Sequence, residues 1–263
     1  MECKNCLLSI QTHHNYCPHC GAKVIKNRLT IKALFAHFSE QFLNYDNLFF
    51  KTFRHLTLKP EAVIDCYIDG TRKKYVNVIS YFAIALTLSG FQMFVMNKFF
   101  PELMNMDFMP TNGNENIQQQ NMNFAQEYQS IIYMAIVPVY ALMSKIVFFN
   151  YKQYNYTEHL VINMYLAAHL SIITTILVLI TSFFGMSFGL FGLLSIPLQI
   201  IFSAYCFKRL FNLSISSLLL KTLLFLVILF ILFVIASIIT AVIMFLNGSF
   251  EEIREAQSQT QST

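Results

Sequence analysis

Four cysteines near the N-terminus carry the clearest chemistry. Cys3, Cys6, Cys17 and Cys20 follow the pattern C-x2-C-x10-C-x2-C in the stretch CKNCLLSIQTHHNYCPHCG. Each Cys-x-x-Cys turn offers two thiolates to one ion, and two turns supply the four sulfurs of a closed tetrahedral zinc site. Gly21 follows the last ligand, where the chain must turn tightly. The pattern predicts one structural Zn2+, with a ferredoxin-like or rubredoxin-like iron centre, or a redox dithiol pair, as the alternatives for the same cysteines. Four thiolates leave no coordination position for water or substrate, so the ion is read as a fold-maker for a ribbon too short to bury a core. His13 and His14 fall in the intervening loop, and His19 stands between two cysteine ligands. The ribbon has few basic residues and no aromatic stacking face, which argues against nucleic acid as a partner.

A second set of candidates lies in apolar surroundings. His169 falls near the middle of the apolar stretch 160–184, with Tyr165 one turn before it and Asn163 nearby. Glu158 shares that helical face at the entrance. An ionisable residue within a membrane span is a functional candidate by default. The competing reading is a neutral histidine bonded to a neighbouring helix. No nucleophile elbow, P-loop, dinucleotide loop or HExxH motif is present, and no carboxylate pair lies in the apolar stretches. The sequence therefore predicts no enzyme.

The elements that would position these groups are mostly membrane helices. Hydrophobic residues make up 56% of the 263 and charged residues 12%, about half the charge of an ordinary soluble domain. Five stretches reach the length needed to cross hydrocarbon, at about 76–97, 129–149, 160–184, 188–207 and 217–246. The expected fold is an all-α polytopic membrane protein of about five transmembrane helices, with a small N-terminal zinc ribbon and amphipathic interfacial helices. The domain reading is a ribbon over 1–25, cytosolic or interfacial helices over 26–75, a transmembrane domain over 76–246 and a disordered tail over 247–263. Within 26–75, one helix carries Ile31, Leu34, Phe35 and Phe38 on one side. A second starts near Asp46, and a third runs from Pro60 to the Asp69-Gly70 stop.

Charge sets the orientation. Residues 1–75 hold 11 of the 18 Lys and Arg. With the N-terminus inside, the cytosolic segments gather 16 basic residues and the external ones only Lys98 and Arg254, a strong positive-inside bias. The chain is thus expected in a bacterial cytoplasmic membrane, N-terminus cytosolic and C-terminus external. The same topology keeps the cysteines in a reducing compartment, where a metal site is favoured over disulfides.

The segment DNLFFKTFRHLTLKPEAVIDCYIDGTRKKYVNVISYF, together with the cysteine head and the multispan remainder, resembles the bacterial membrane family known as domain of unknown function 3667. The resemblance is carried by Phe49 to Thr52 (Phe-x-x-Thr), by Thr57 to Pro60 with Leu58 displaced by one, and by Tyr67, Ile68, Gly70, Arg72 and Tyr75. It implies a zinc ribbon and a membrane domain, and no activity. The function expected is a non-enzymatic scaffold. Arg72, Lys73, Lys74 and Tyr75 would meet anionic lipid head groups or a protein partner at the cytosolic face. The alternative is a small transporter or channel with a path near His169, Tyr165 and Asn163.

Overall fold

The computed structural model describes residues 2–3, 5–11, 13–21, 24, 48–104 and 128–246. The amphipathic helix expected from Ile31 onward, residues 105–127 between the first two expected spans and the C-terminal tail lie outside the described residues. The chain divides into two compact units, 1–47 and 48–263.

In the first unit, the N-terminal knuckle is a miniature hairpin. The Cys3 N–H donates to the Leu8 carbonyl at 2.9 Å and the Leu7 N–H to the Cys3 carbonyl at 2.8 Å. Leu7 itself is left-handed, with φ +60°. An antiparallel bridge joins Glu2 to Ser9. The second knuckle closes when the Gly21 N–H donates to the Cys17 carbonyl at 2.9 Å, with Gly21 at φ +69°. Cys3, Ile10 and Cys17 are buried together, with Cys6 and Val24 packed against them. Such a core is far too small to fold a chain alone, and a metal ion held by the four sulfurs would supply what burial cannot.

The second unit is all-helical among the described residues. Residues 48–58 form α1. Pro60–Ile68 is α2, with Pro60 in its first turn, where a missing N–H costs nothing. Val78–Phe99 is α3, capped by Asn77, whose side chain accepts from the Ser80 N–H. A 3-10 turn, Pro101–Met104, follows. Gln129–Val147 is α4, Tyr156–Ser182 is α5, Phe188–Phe211 is α6 and Ile215–Leu246 is α7. The expected α2 thus forms between the expected signals. α5 starts four residues earlier than hydropathy suggests, because Asn155 and Glu158 close a reciprocal capping box. α6 runs to Phe211, four residues past its expected end, and stops where Asn212 adopts φ +50°.

Four of these helices are long and apolar enough to cross a membrane: α3, α5, α6 and Ile215–Thr240 of α7. α4 is a shorter apolar helix, with its described part at Ile131–Val147. At 1.5 Å per residue its full 19 residues extend about 28 Å, close to the thickness of a bilayer's hydrocarbon core.

α5 is the central helix. Half of its apolar stretch is buried, against none of α7. Its inward stripe includes Ile162, Tyr165, Ala168, His169 and Ile172. α3 and α4 pack along it. Between lipid-facing helices there is little hydrophobic drive, so close packing and polar bonds hold the pairs. Thr175 Oγ1 donates to Gln92 Oε1 at 3.1 Å, and Ser182 Oγ donates to Met96 Sδ at 3.1 Å.

The register of α3 on α5 is offset. Tyr81, in the first turn of α3, meets His169, the fourteenth residue of α5. The first ten or so residues of α5 therefore overhang α3 by about 15 Å. α1, α2 and the end of α4 surround this overhang. Ends also alternate as multiple crossings require. Lys145 of α4, Arg209 of α6 and Lys221 of α7 lie at the same end as α1 and α2. Lys145 Nζ donates to the Tyr154 carbonyl and Lys221 Nζ to the Val147 carbonyl, each at 2.6 Å, and Arg209 pairs with Glu61. At the opposite end Phe100 meets Phe183 edge to face.

Candidate functional sites

The four cysteine sulfurs converge as their spacing predicts. All lie within 4.8 Å of one another. Cys3 and Cys20 stand 3.6 Å apart, as do Cys6 and Cys17. A disulfide needs about 2.05 Å, so these are separate thiols. A tetrahedron of sulfurs at about 2.3 Å from a central ion has edges of about 3.8 Å, which the observed spacing approaches. The cluster can hold a metal ion. His13 and His14 contact one another edge to face.

His169 is fully buried, and both ring nitrogens are engaged. Nδ1 lies 2.9 Å from Tyr81 Oη and Nε2 lies 3.0 Å from Thr57 Oγ1. Thr57 donates its own hydroxyl hydrogen to the Phe53 carbonyl at 3.0 Å. Thr57 must then accept from Nε2–H, which leaves Nδ1 to accept from Tyr81. This assigns a neutral imidazole in a directed chain from Tyr81 through His169 and Thr57 to the α1 backbone. Phe53 and Phe202 cover the ring at 4.7 and 5.2 Å.

His169 is thus central in its own helix but not in the bundle. It sits level with the first turn of α3, beneath α1, because of the α5 overhang. A hydropathy profile measures position within one helix and cannot detect that offset.

The three residues grouped with it by sequence do not form one site. Tyr165 is fully buried, and its hydroxyl donates to the Val76 carbonyl at 2.8 Å. Asn163 belongs to a separate network, donating to Ser144 Oγ at 2.9 Å and to the His159 carbonyl at 2.8 Å. Ser144 donates to the Ala141 carbonyl and lies 2.9 Å from His159 Nδ1. Nδ1 of His159 therefore carries the proton, and its buried Nε2 has no partner among the described residues. Glu158 caps α5, exchanging bonds with Asn155.

Sequence reasoning missed Thr57, Tyr81, Ser144 and His159. His159 stands four residues after the Asn155 cap, and that spacing was its one available signal.

A third constellation anchors α1 and α2 to the bundle. The buried Thr52 hydroxyl accepts from the Val76 N–H at 3.0 Å. His55 Nδ1 lies 2.8 Å from Tyr75 Oη. Tyr205 of α6 donates to the Leu58 carbonyl at 2.7 Å. Arg209 forms a two-pronged pair with Glu61 and holds that carboxyl below its usual range. Tyr154 donates to Asp65 at 2.6 Å. Burial raises the Asp65 carboxyl, outweighing that bond, and burial raises the Tyr154 hydroxyl as well. Gly70 ends the α2 turn at φ +89°.

These bonds leave the loop from α2 to α3 facing outward with Arg72, Lys73 and Lys74 exposed, while Tyr75 is buried. Arg72 lies over the Tyr67 ring, and Lys51 and Lys74 both lie over the ring of Tyr75.

Residues 46–90 match the family described as protein of unknown function, DUF3667. The match covers α1, α2, their loop and the first half of α3, and stops short of the cysteine cluster. The resemblance read from Phe49, Thr52, Pro60, Tyr67, Gly70, Arg72 and Tyr75 therefore stands over that segment. No curated protein and no solved structure matches the chain.

Proposed function

We propose that this multi-pass membrane protein acts as a non-enzymatic scaffold of the bacterial cytoplasmic membrane. Its zinc-stabilised head and basic helix pair would recruit a protein partner or organise lipid at the cytosolic face. The observation that carries the reading is the fixing of α1 and α2 across the ends of α3, α5 and α6. Thr52, Tyr205 and Arg209 tie the pair to the bundle, and the basic loop is what remains outward. A surface built in this way suits the presentation of charge to a partner or a lipid head group. The neutral, fully bonded His169 supports a structural histidine more than a solute path.

The reading puts the N-terminus inside, supported by Lys145, Arg209, Lys221 and the Arg72–Lys74 loop, which share one end of the helical unit, the bias the positive-inside rule associates with a cytosolic face. The metal is proposed as zinc because four thiolates in a closed set match its preference, and the cytosol would keep them reduced.

Crosslinking and pull-down from native membranes tests the reading on the full chain. A defined partner should be captured by the wild type and lost with Cys17→Ser or with Arg72, Lys73 and Lys74 all changed to Gln. The same capture by all three proteins would refute recruitment through the head and loop. A reporter at the C-terminus should be active outside, and activity inside would refute the topology.

A further inference from the structure

Lys51 and Lys74 come from different elements, α1 and the α2–α3 loop, yet converge on one ring. Their ammonium groups lie 5.4 and 5.6 Å from the Tyr75 centroid. They are therefore at most about 11 Å apart, near the Debye length of about 8–10 Å at physiological salt. Arg54, Arg72 and Lys73 are exposed on the same two elements.

Among the described residues no carboxylate pairs with any of these cations. Glu61 is engaged by Arg209 and Asp65 by Tyr154. Asp69, in the same loop, is exposed and pairs with none of these cations among the described residues. Like charges gathered with no paired carboxylate among the described residues repel, and the negative face of one tyrosine offsets only part of that. An anion relieves the rest.

Two further features select the anion. The loop leads directly into α3, whose first residue, Val78, begins a membrane-crossing helix. Its positive helix end and the level of the lipid phosphates therefore lie beside Tyr75. α1 also exposes Phe50 and Leu58 next to Lys51 and Arg54, with 67% and 54% of their surfaces open. Apolar side chains alternating with cations suit the boundary between head groups and acyl chains, and a freely dissolved anion needs no such neighbours.

We infer that Lys51 and Lys74, flanking Tyr75, bind the phosphate of an anionic phospholipid head group, with Phe50 and Leu58 against its acyl region. This rests on the reading that the α1–α2 end is a membrane face, and it names one occupant of that face.

The test uses the full chain in neutral detergent micelles doped with phosphatidylglycerol or phosphatidylcholine, with bound lipid counted by native mass spectrometry. Phosphatidylglycerol should be retained in preference. Each surface lysine contributes about fivefold, so Lys51→Gln with Lys74→Gln should weaken its binding roughly 30-fold. The Lys51→Arg and Lys74→Arg pair should restore it, and Lys98→Gln, at the opposite end of α3, should leave it unchanged. Equal retention by the wild type and the double Gln variant, both with native helicity, would overturn the site. So would displacement of the lipid by millimolar inorganic phosphate, which would assign the cations to a free anion. No second protein is present, so a failure here leaves partner recruitment standing. A failed pull-down likewise leaves the lipid measurement intact.

Discussion

Replacing His169 with leucine removes the acceptor of the Tyr81 hydroxyl and the donor to Thr57. Tyr81 is fully buried, so its hydroxyl is left without a partner, at a cost of about 1–3 kcal/mol. Thr57 keeps its bond to the Phe53 carbonyl and contributes little. Loss of ring contact with Phe53 and Phe202 adds about 0.5–1.5 kcal/mol. The expected destabilisation is about 2–4 kcal/mol. Tyr81→Phe strands the Nδ1 lone pair instead and should cost about 1–2 kcal/mol. The double variant strands neither group, so the two changes should couple by about 1 kcal/mol, within the range of double-mutant cycles between membrane helices. His169→Gln keeps a donor and an acceptor and should recover much of the loss. The chain has no Trp, so unfolding in mixed micelles is best followed by far-ultraviolet circular dichroism. A His169→Leu protein within 0.5 kcal/mol of wild type (roughly the scatter of surface substitutions), or strict additivity with Tyr81→Phe, would refute the directed chain through His169.

Elemental analysis of the purified protein should find one zinc per chain, lost with Cys17→Ser, and stoichiometric iron would refute the zinc assignment. Arg209 holds the folded Glu61 carboxyl low, so its contribution is complete above the unfolded value of about 4.3 and disappears as pH falls through the lowered value. Both side chains are partly exposed, so Glu61→Gln should cost no more than about 1 kcal/mol at neutral pH and should flatten the acid limb of a Tm-versus-pH curve. Asp65 works in the opposite sense. Burial raises its carboxyl, its contribution fades as pH rises through the raised value, and Asp65→Asn should match or exceed the wild-type Tm at pH 8. A Cβ at Gly70 would meet nothing within 4 Å, so Gly70→Ala should lose only the backbone cost of its φ of +89°, about 1–2 kcal/mol by thermal unfolding.

Local chemistry was legible in the sequence. Cysteine spacing located the four-sulfur cluster, Pro60 and Gly70 bounded α2, and apolar runs located the crossing helices to within a few residues. These signals act over a turn or two of chain. The partners of His169 were not legible, because Tyr81 and Thr57 are 88 and 112 residues away in sequence. The grouping of Asn163 with His169 failed for a related reason. Residues six apart on a helix point in different directions, and Asn163 turns toward Ser144 on α4. Depth was the third gap, since the overhang of α5 depends on where α3 begins beside it.

The 112-residue separation of Thr57 from His169 also orders events at the ribosome. α1 leaves the exit tunnel long before its partner on α5 exists. At roughly 5–20 residues per second, about 6–22 s of synthesis separate them. During that interval the four cysteines are already complete, while the side of α1 that packs on α5 has no partner there. Closure of the contact between α1 and α5 is therefore timed by the arrival of α5.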